Sequence, residues 1–127
     1  MASLDYTDAL PIVALAGIQI GDGIACAIPA QFITDALDRV NCPAELRPVL
    51  PVLKLSSAVG LILGIRSPRM ALVTSVALVS YFSFALAAHA RAHDRVANAV
   101  PAGLMLGFSA WIARQAVARL GSAAVPG

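Results

Sequence analysis

Residues 70–90 read MALVTSVALVSYFSFALAAHA. The run holds no charged side chain apart from its imidazole, and until Tyr81 and His89 it offers only hydroxyls as polar groups. A helix of that length rises ~30 Å, the thickness of a bilayer's hydrocarbon core. Three further stretches have the same character: ALPIVALAGIQIGDGIACAIP at 9–29, LRPVLPVLKLSSAVGLILG at 46–64 and NAVPAGLMLGFSAWIARQAVA at 98–118. A soluble chain of 127 residues has no interior in which to hide four such spans. The sequence therefore predicts an all-α fold, a four-transmembrane-helix bundle forming a single membrane domain over residues 1–127.

Composition agrees with that expectation. The chain is 59% hydrophobic and 13% charged, with a mean hydropathy of +0.81. Its net charge of +2 is small and dispersed, with no basic run and no interleaving of aromatic and basic residues. Nucleic acid is excluded as a partner on those grounds. Residues 1–8, MASLDYTD, carry two acids and no base, whereas a secretory leader begins with positive charge. The first span is expected to stay as an uncleaved anchor, and the protein to be a multi-pass protein of a bacterial cell membrane.

Between the first two spans, Phe32, Ile33, Ala36, Leu37 and Val40 recur at helical spacing opposite Asp35, Asp38 and Arg39. This predicts a short amphipathic helix lying at the interface, ended by Asn41-Cys42-Pro43. Ile65-Arg66-Ser67-Pro68-Arg69 reads as a tight basic turn, and GSAAVPG at the end as a frayed tail. Trp111, Arg114 and Arg119 mark the far end of the fourth span, as interfacial aromatic and basic residues do. Basic residues divide evenly: Arg66, Arg69, Arg114 and Arg119 on one face, Arg39, Arg47, Arg91 and Arg95 on the other. The short turn with two arginines and no acid favours both termini in the cytoplasm.

Small residues recur four apart at Gly17/Gly21, Gly60/Gly64 and Gly103/Gly107. Such ribbons let helix backbones approach closely in lipid. Packing within the bundle is the expected use, and a homodimer seam the alternative. Cys26 and Cys42 match no redox or zinc spacing, so they read as unpaired thiols and no metal site is expected. A disulfide between them is the alternative, if the loop bends back toward an oxidising compartment.

Ionisable side chains inside a span are costly and need a partner or a purpose. At 1.5 Å per residue, Asp22 lies ~10 Å below the face where the first span ends, Lys54 ~12 Å and Tyr81 ~13 Å below the same face. Gln19 is a turn deeper, while His89, Arg91 and Asp94 stand at the mouth. Polar groups thus collect in the half of the bundle nearest the linker. Three uses of this layer can be weighed. Asp22 and Lys54 can pin two helices in register, with Gln19, Ser57 and Tyr81 supplying the remaining hydrogen bonds. The layer can bind a ligand through Gln19, Asp22, Lys54, Ser57 and Tyr81, gated by His89 and Arg91. It can also do acid–base catalysis, with Asp22 as base and Lys54 or Tyr81 as polariser. At the mouth, His89 reads as hydrogen-bonded at a helix end, and Arg91 with Asp94 as an ion pair. Gly21-Asp22-Gly23 has no strand before it and no phosphate loop after it, and no motif calls for a cofactor.

Two segments together carry a resemblance. Leu53-Lys54 through Ala58, Gly60 and Leu61 spell L-K-x-x-x-A-x-G-L, and Tyr81-Phe82 through Ala85, His89, Arg91 and Asp94 spell Y-F-x-x-A-x-x-x-H-x-R-x-x-D. With an acid near the middle of the first span at Asp22, they resemble the DoxX-like family of small four-helix membrane proteins, over roughly residues 10–115. Ser56-Ser57 stands in place of a small apolar pair, and Asn41 in place of a glycine in the family's G-x-P element. The resemblance implies a four-helix membrane protein, with relatives linked to membrane oxidoreductase complexes and distant ones to the assembly of other membrane proteins. The function it suggests is an accessory or ligand-binding subunit of a membrane oxidoreductase system, taking a quinone or another small lipophilic molecule. A small membrane enzyme of isomerase or epoxide hydrolase type, and a structural or assembly partner, are the alternatives.

Overall fold

The computed structural model describes residues 6–124, and among them every regular element is helical. Five helices follow one another: α1 (Tyr6–Ala27), α2 (Gln31–Arg39), α3 (Val49–Gly64), α4 (Pro68–Arg91) and α5 (Val96–Ala124). Three of them, α1, α4 and α5, are long and apolar enough to cross a membrane. The second expected span is shorter than its apolar run. Residues 44–48 form turns closed by i→i+3 bonds, such as Leu46 N to Pro43 O at 3.1 Å and Arg47 N to Ala44 O at 3.3 Å. Pro48 has no N–H to extend an α-helical ladder there, and Pro51 is harmless only because it falls in the first turn of α3. The 16 residues that remain rise only ~24 Å.

The tail expected to fray instead continues α5 through Ala124, and residues 125–127 lie outside the described region. Pro11 and Pro101 sit inside α1 and α5, each in the second turn, where the proline forfeits one i→i−4 bond that membrane helices tolerate.

Local chemistry sets the other boundaries. Ser67 caps α4, its Oγ accepting from Met70 N at 3.2 Å, and Pro68 follows at the first helical position. Helices α2 and α4 both end in a left-handed residue, Asn41 at φ 56° and His93 at φ 52°. After α2, Cys42 N bonds Leu37 O (2.9 Å) and Asn41 N bonds Asp38 O (3.1 Å). After α4, Asp94 N bonds His89 O (3.0 Å) and His93 N bonds Ala90 O (3.1 Å). Each is a Schellman turn. Asparagine tolerates the left-handed region better than most non-glycine residues, so Asn41 occupies it with little penalty.

Helix α1 packs on α3, α3 on α4, α4 on α5, and α5 closes back on α1 through a smaller contact, while α2 touches α1. Ile12, Leu15, Leu61, Ala71, Leu78, Phe82 and Ile112 form the core. Outside it, Val13, Val52, Val59, Val73, Phe84 and Val117 are more than half exposed, an apolar exterior suited to lipid. The glycine ribbons divide. A side chain on Gly64 would stand 2.8 Å from the Ala71 backbone, and one on Gly60 would collide with Thr74, so this ribbon seats α4. Gly17, Gly21, Gly103 and Gly107 face open space. Packing within the bundle was the expectation for all three ribbons, and only that of α3 is so used.

Candidate functional site

Gln19, Asp22 and Cys26 recur at i, i+3 and i+7, a spacing that puts them on one face of α1. On α3, Lys54 and Ser57 are one turn apart, and Tyr81 comes from the middle of α4. The packing of α1, α3 and α4 brings these side chains together. Lys54 Nζ lies 3.2 Å from Asp22 Oδ2 and 5.8 Å from the centroid of the Tyr81 ring, within reach of a cation–π attraction. Tyr81 is held edge-on by Phe82, with ring centres 5.1 Å apart. One turn deeper, Gln19 Nε2 donates to Ser57 Oγ at 3.0 Å, and that hydroxyl donates to Lys54 O at 2.7 Å. Gln19 is wholly buried, and its Oε1 has no hydrogen-bond partner.

The ion pair is lopsided. The Lys54 side chain is 11% exposed and that of Asp22 is 40% exposed. The ammonium is therefore walled in by α1, α3 and the Tyr81 ring, while the carboxylate keeps one edge open at the bundle surface. Chemically the layer offers a buried cation, an accessible acceptor and an unpaired amide oxygen. Two contributors escape a reading of charge and depth alone. Gly23 is buried, and a β-carbon there would meet Leu55 Cγ at 2.8 Å, so its bareness lets α3 approach α1 beside the pair. Cys26, partly buried and unpaired, lies one turn beyond Asp22, within electrostatic reach of Lys54 and Tyr81. Its position at i+4 from Asp22 was the available signal.

His89 and Arg91 do not join this layer. Eight residues along α4 separate His89 from Tyr81, or ~12 Å. His89 Nδ1 lies 2.7 Å from Asp94 Oδ2. Asp94 also accepts from Asn98 Nδ2 and from the Arg95 N–H, both at 2.8 Å, and Arg39 Nε of the linker stands 3.9 Å away. The Asn98 hydrogen bond, with help from His89 and the Arg95 N–H, holds the Asp94 carboxyl below its ordinary range against the opposing effect of desolvation. The expected Arg91–Asp94 pair does not form. The left-handed His93 folds Asp94 back over the helix end toward His89, and Arg91 is exposed with no ion pair among the described residues.

Two other arginines hold backbone. Arg47 donates to Asp38 at 2.8 Å and to Cys42 O at 3.1 Å, locking the linker. Arg119, expected to mark the interface, is turned inward and buried. It donates to Gly64 O at 2.8 Å and Ile65 O at 2.9 Å, closing the C-terminal carbonyls of α3 from across the bundle. An open groove on α5, lined by Ala110, Trp111, Arg114, Gln115 and Ala118, lies away from the charged layer.

The sequence model of the DoxX-like family matches residues 11–113 of this chain. No curated protein matches it, and no solved structure does.

Proposed function

Since the chain belongs to the DoxX-like family, we propose that it is a four-span membrane subunit whose charged layer binds the polar head of a small lipophilic molecule. A quinone is the type of molecule that fits, and an accessory role in a membrane oxidoreductase system is the setting that family resemblance suggests. Chain direction supports the reading of four crossings. Contacts pair the end of α1 with the start of α3 (Asp22 to Lys54) and the end of α3 with the start of α4 (Gly64 to Ala71). Helix α3 therefore runs opposite to both neighbours, the direction a fourth crossing requires. Helix α2, with no buried residue and Phe32 64% exposed, suits an interfacial position. A bacterial cell membrane is the setting this reading assumes.

The lopsided pair carries the ligand reading. A pin that only held two helices in register would gain most by sealing both charges, because a carboxylate edge left toward hydrocarbon is costly. Asp22 instead keeps an edge where an oxygenated head group can reach it, directly or through a proton. A direct 3.2 Å contact between Lys54 and Asp22 favours the second reading, a purely structural pin. Binding separates the two. In nanodiscs, a short-chain quinone should bind the parent protein and lose at least about tenfold in affinity in Asp22→Asn and in Lys54→Met, as truncating one partner of a buried pair does. Unchanged binding in either variant would leave the pin as the only role.

A further inference from the structure

Helix α2 leaves the end of α1 after a short turn at 28–30, and among the described residues it packs on no helix but α1. Its last residue, Arg39, reaches the α4–α5 turn, where Nε stands 3.9 Å from Asp94 Oδ2. Helices α1 and α4 occupy opposite corners of the bundle, since each touches α3 and α5 but not the other. Neighbouring helices pack 8–10 Å apart, so opposite corners are ~11–14 Å apart. From Gln31 to Arg39, α2 rises ~12 Å. It has the length to run from corner to corner across the end of the bundle, above the charged layer.

The far end of this segment is tied by one weak contact to a rigid keeper. Asp94, with a side chain 5% exposed, accepts from Asn98 Nδ2 and the Arg95 N–H and is met by His89 Nδ1, all independent of α2. The Arg39 side chain is 46% exposed. Letting go therefore strands neither charge, because the carboxylate keeps three partners in the bundle and the guanidinium meets water. Arg47 holds both Asp38 and Cys42 O, so the end of α2 and the start of the linker move as one piece. No residue of α2 is buried. Segments with so little burial and one exposed ion pair are those that open most readily.

We propose that α2 is a strap that closes the water-facing end of the charged layer and opens when Arg39 releases Asp94. Closed, it keeps interfacial water from Lys54 and Asp22, and a dry surrounding strengthens their hold on a polar head. Open, it admits that head. The inference rests on the charged layer being the binding site, and it adds how access to that site is controlled.

Cys26 reports the movement, since it lies one turn beyond Asp22 on the same face of α1, between the layer and the strap. In nanodiscs, in a Cys42→Ser background, a water-soluble maleimide should label Cys26 faster once Arg39→Gln is added. The gain should be about two- to fivefold, the shift in open population that follows loss of one exposed ion pair. Asp94→Asn should do the same. Arg91→Gln, at an exposed arginine with no ion pair among the described residues, should change nothing. Spin labels on Asp35→Cys and Val100→Cys, in a protein lacking both native cysteines, should show two distances, the longer gaining in Arg39→Gln. A Cys26 rate unchanged by Arg39→Gln, or a single distance in both proteins, would overturn the strap. Neither measurement contains a ligand, so a strap that does not move is told apart from a layer that does not bind quinone.

Discussion

Toward the linker, α1 and α3 meet through an ion pair, an aromatic ring and a short chain of hydrogen bonds from Gln19 through Ser57 to the Lys54 carbonyl. Toward the Ile65–Ser67 turn, α3 and α4 meet through bare glycine faces, and Arg119 of α5 reaches the carbonyls of Gly64 and Ile65. Lipid gives apolar helices no reason to leave it, so both halves need another source of cohesion. The turn half obtains most of it from shape, at the cost of burying the Arg119 guanidinium against backbone carbonyls. The linker half obtains it from charge, which is expensive in hydrocarbon and roughly breaks even when well paired. Both ends bury a cation, but only the linker half sets its cation against a carboxylate that stays partly exposed. That contrast supports the proposal that the linker half is where a ligand binds.

The contrast breaks or holds first at Asp22. Asp22→Asn strands the walled-in Lys54 ammonium and should cost about 3 kcal/mol of stability, the penalty of an unpaired buried charge. Adding Lys54→Met should restore most of it, since the double variant strands nothing. Unfolding by denaturing detergent from a mild micelle reads both. A double variant as unstable as the single one would mean that the layer is held by more than its charges.

At the shape-held end a smaller effect is expected. Gly64→Ala places a methyl group 2.8 Å from the Ala71 backbone, and α3 and α4 must part, at about 2 kcal/mol for an overpacked contact. Gly103→Ala, with nothing within 4 Å, should stay within about 0.5 kcal/mol of the parent by the same assay. Equal costs at the two positions would show that the open ribbon of α5 is covered in the assembled protein, as a homodimer seam would be. That result would turn the comparison from two halves of one chain to two faces of a pair.

Much of this was legible in the residues. Unbroken hydropathy over 70–90 demanded a helix, and rise per residue alone put Asp22, Lys54 and Tyr81 at one level, where the structure joins them. Depth is additive along a helix and survives ignorance of rotation. What depends on rotation or on a single backbone angle did not survive. Which glycine ribbon faces a neighbour is decided by azimuth, and only that of Gly60 and Gly64 does. The partner of Asp94 is decided by His93 at φ 52°, which no pattern of charges reveals. Gly23 looked like part of an incomplete phosphate motif, although its work is to let Leu55 come close. Arg119 looked interfacial because sequence cannot tell an outward arginine from one that reaches across the bundle.

The smallest effect belongs to the mouth, where the linker half meets water. Asp94 sits between the spans, and its carboxyl is held below the ordinary aspartate range, chiefly by Asn98, with His89 and the Arg95 N–H contributing. A carboxylate with a depressed folded pKa adds stability above its unfolded value, and that contribution drains away as pH falls through the folded value. The parent should therefore be more stable than Asp94→Asn at neutral pH. The two melting curves should converge as the pH drops below about 4, where aspartates in an unfolded chain protonate. Arg39, which reaches Asp94 from the linker, should share the loss, so Arg39→Gln should behave as a weaker copy of Asp94→Asn. Melting midpoints in detergent across that range decide the matter. Curves that stay parallel into acid would mean that the turn is held by its Schellman bonds alone, and the carboxylate would then be ornament at the end of α4.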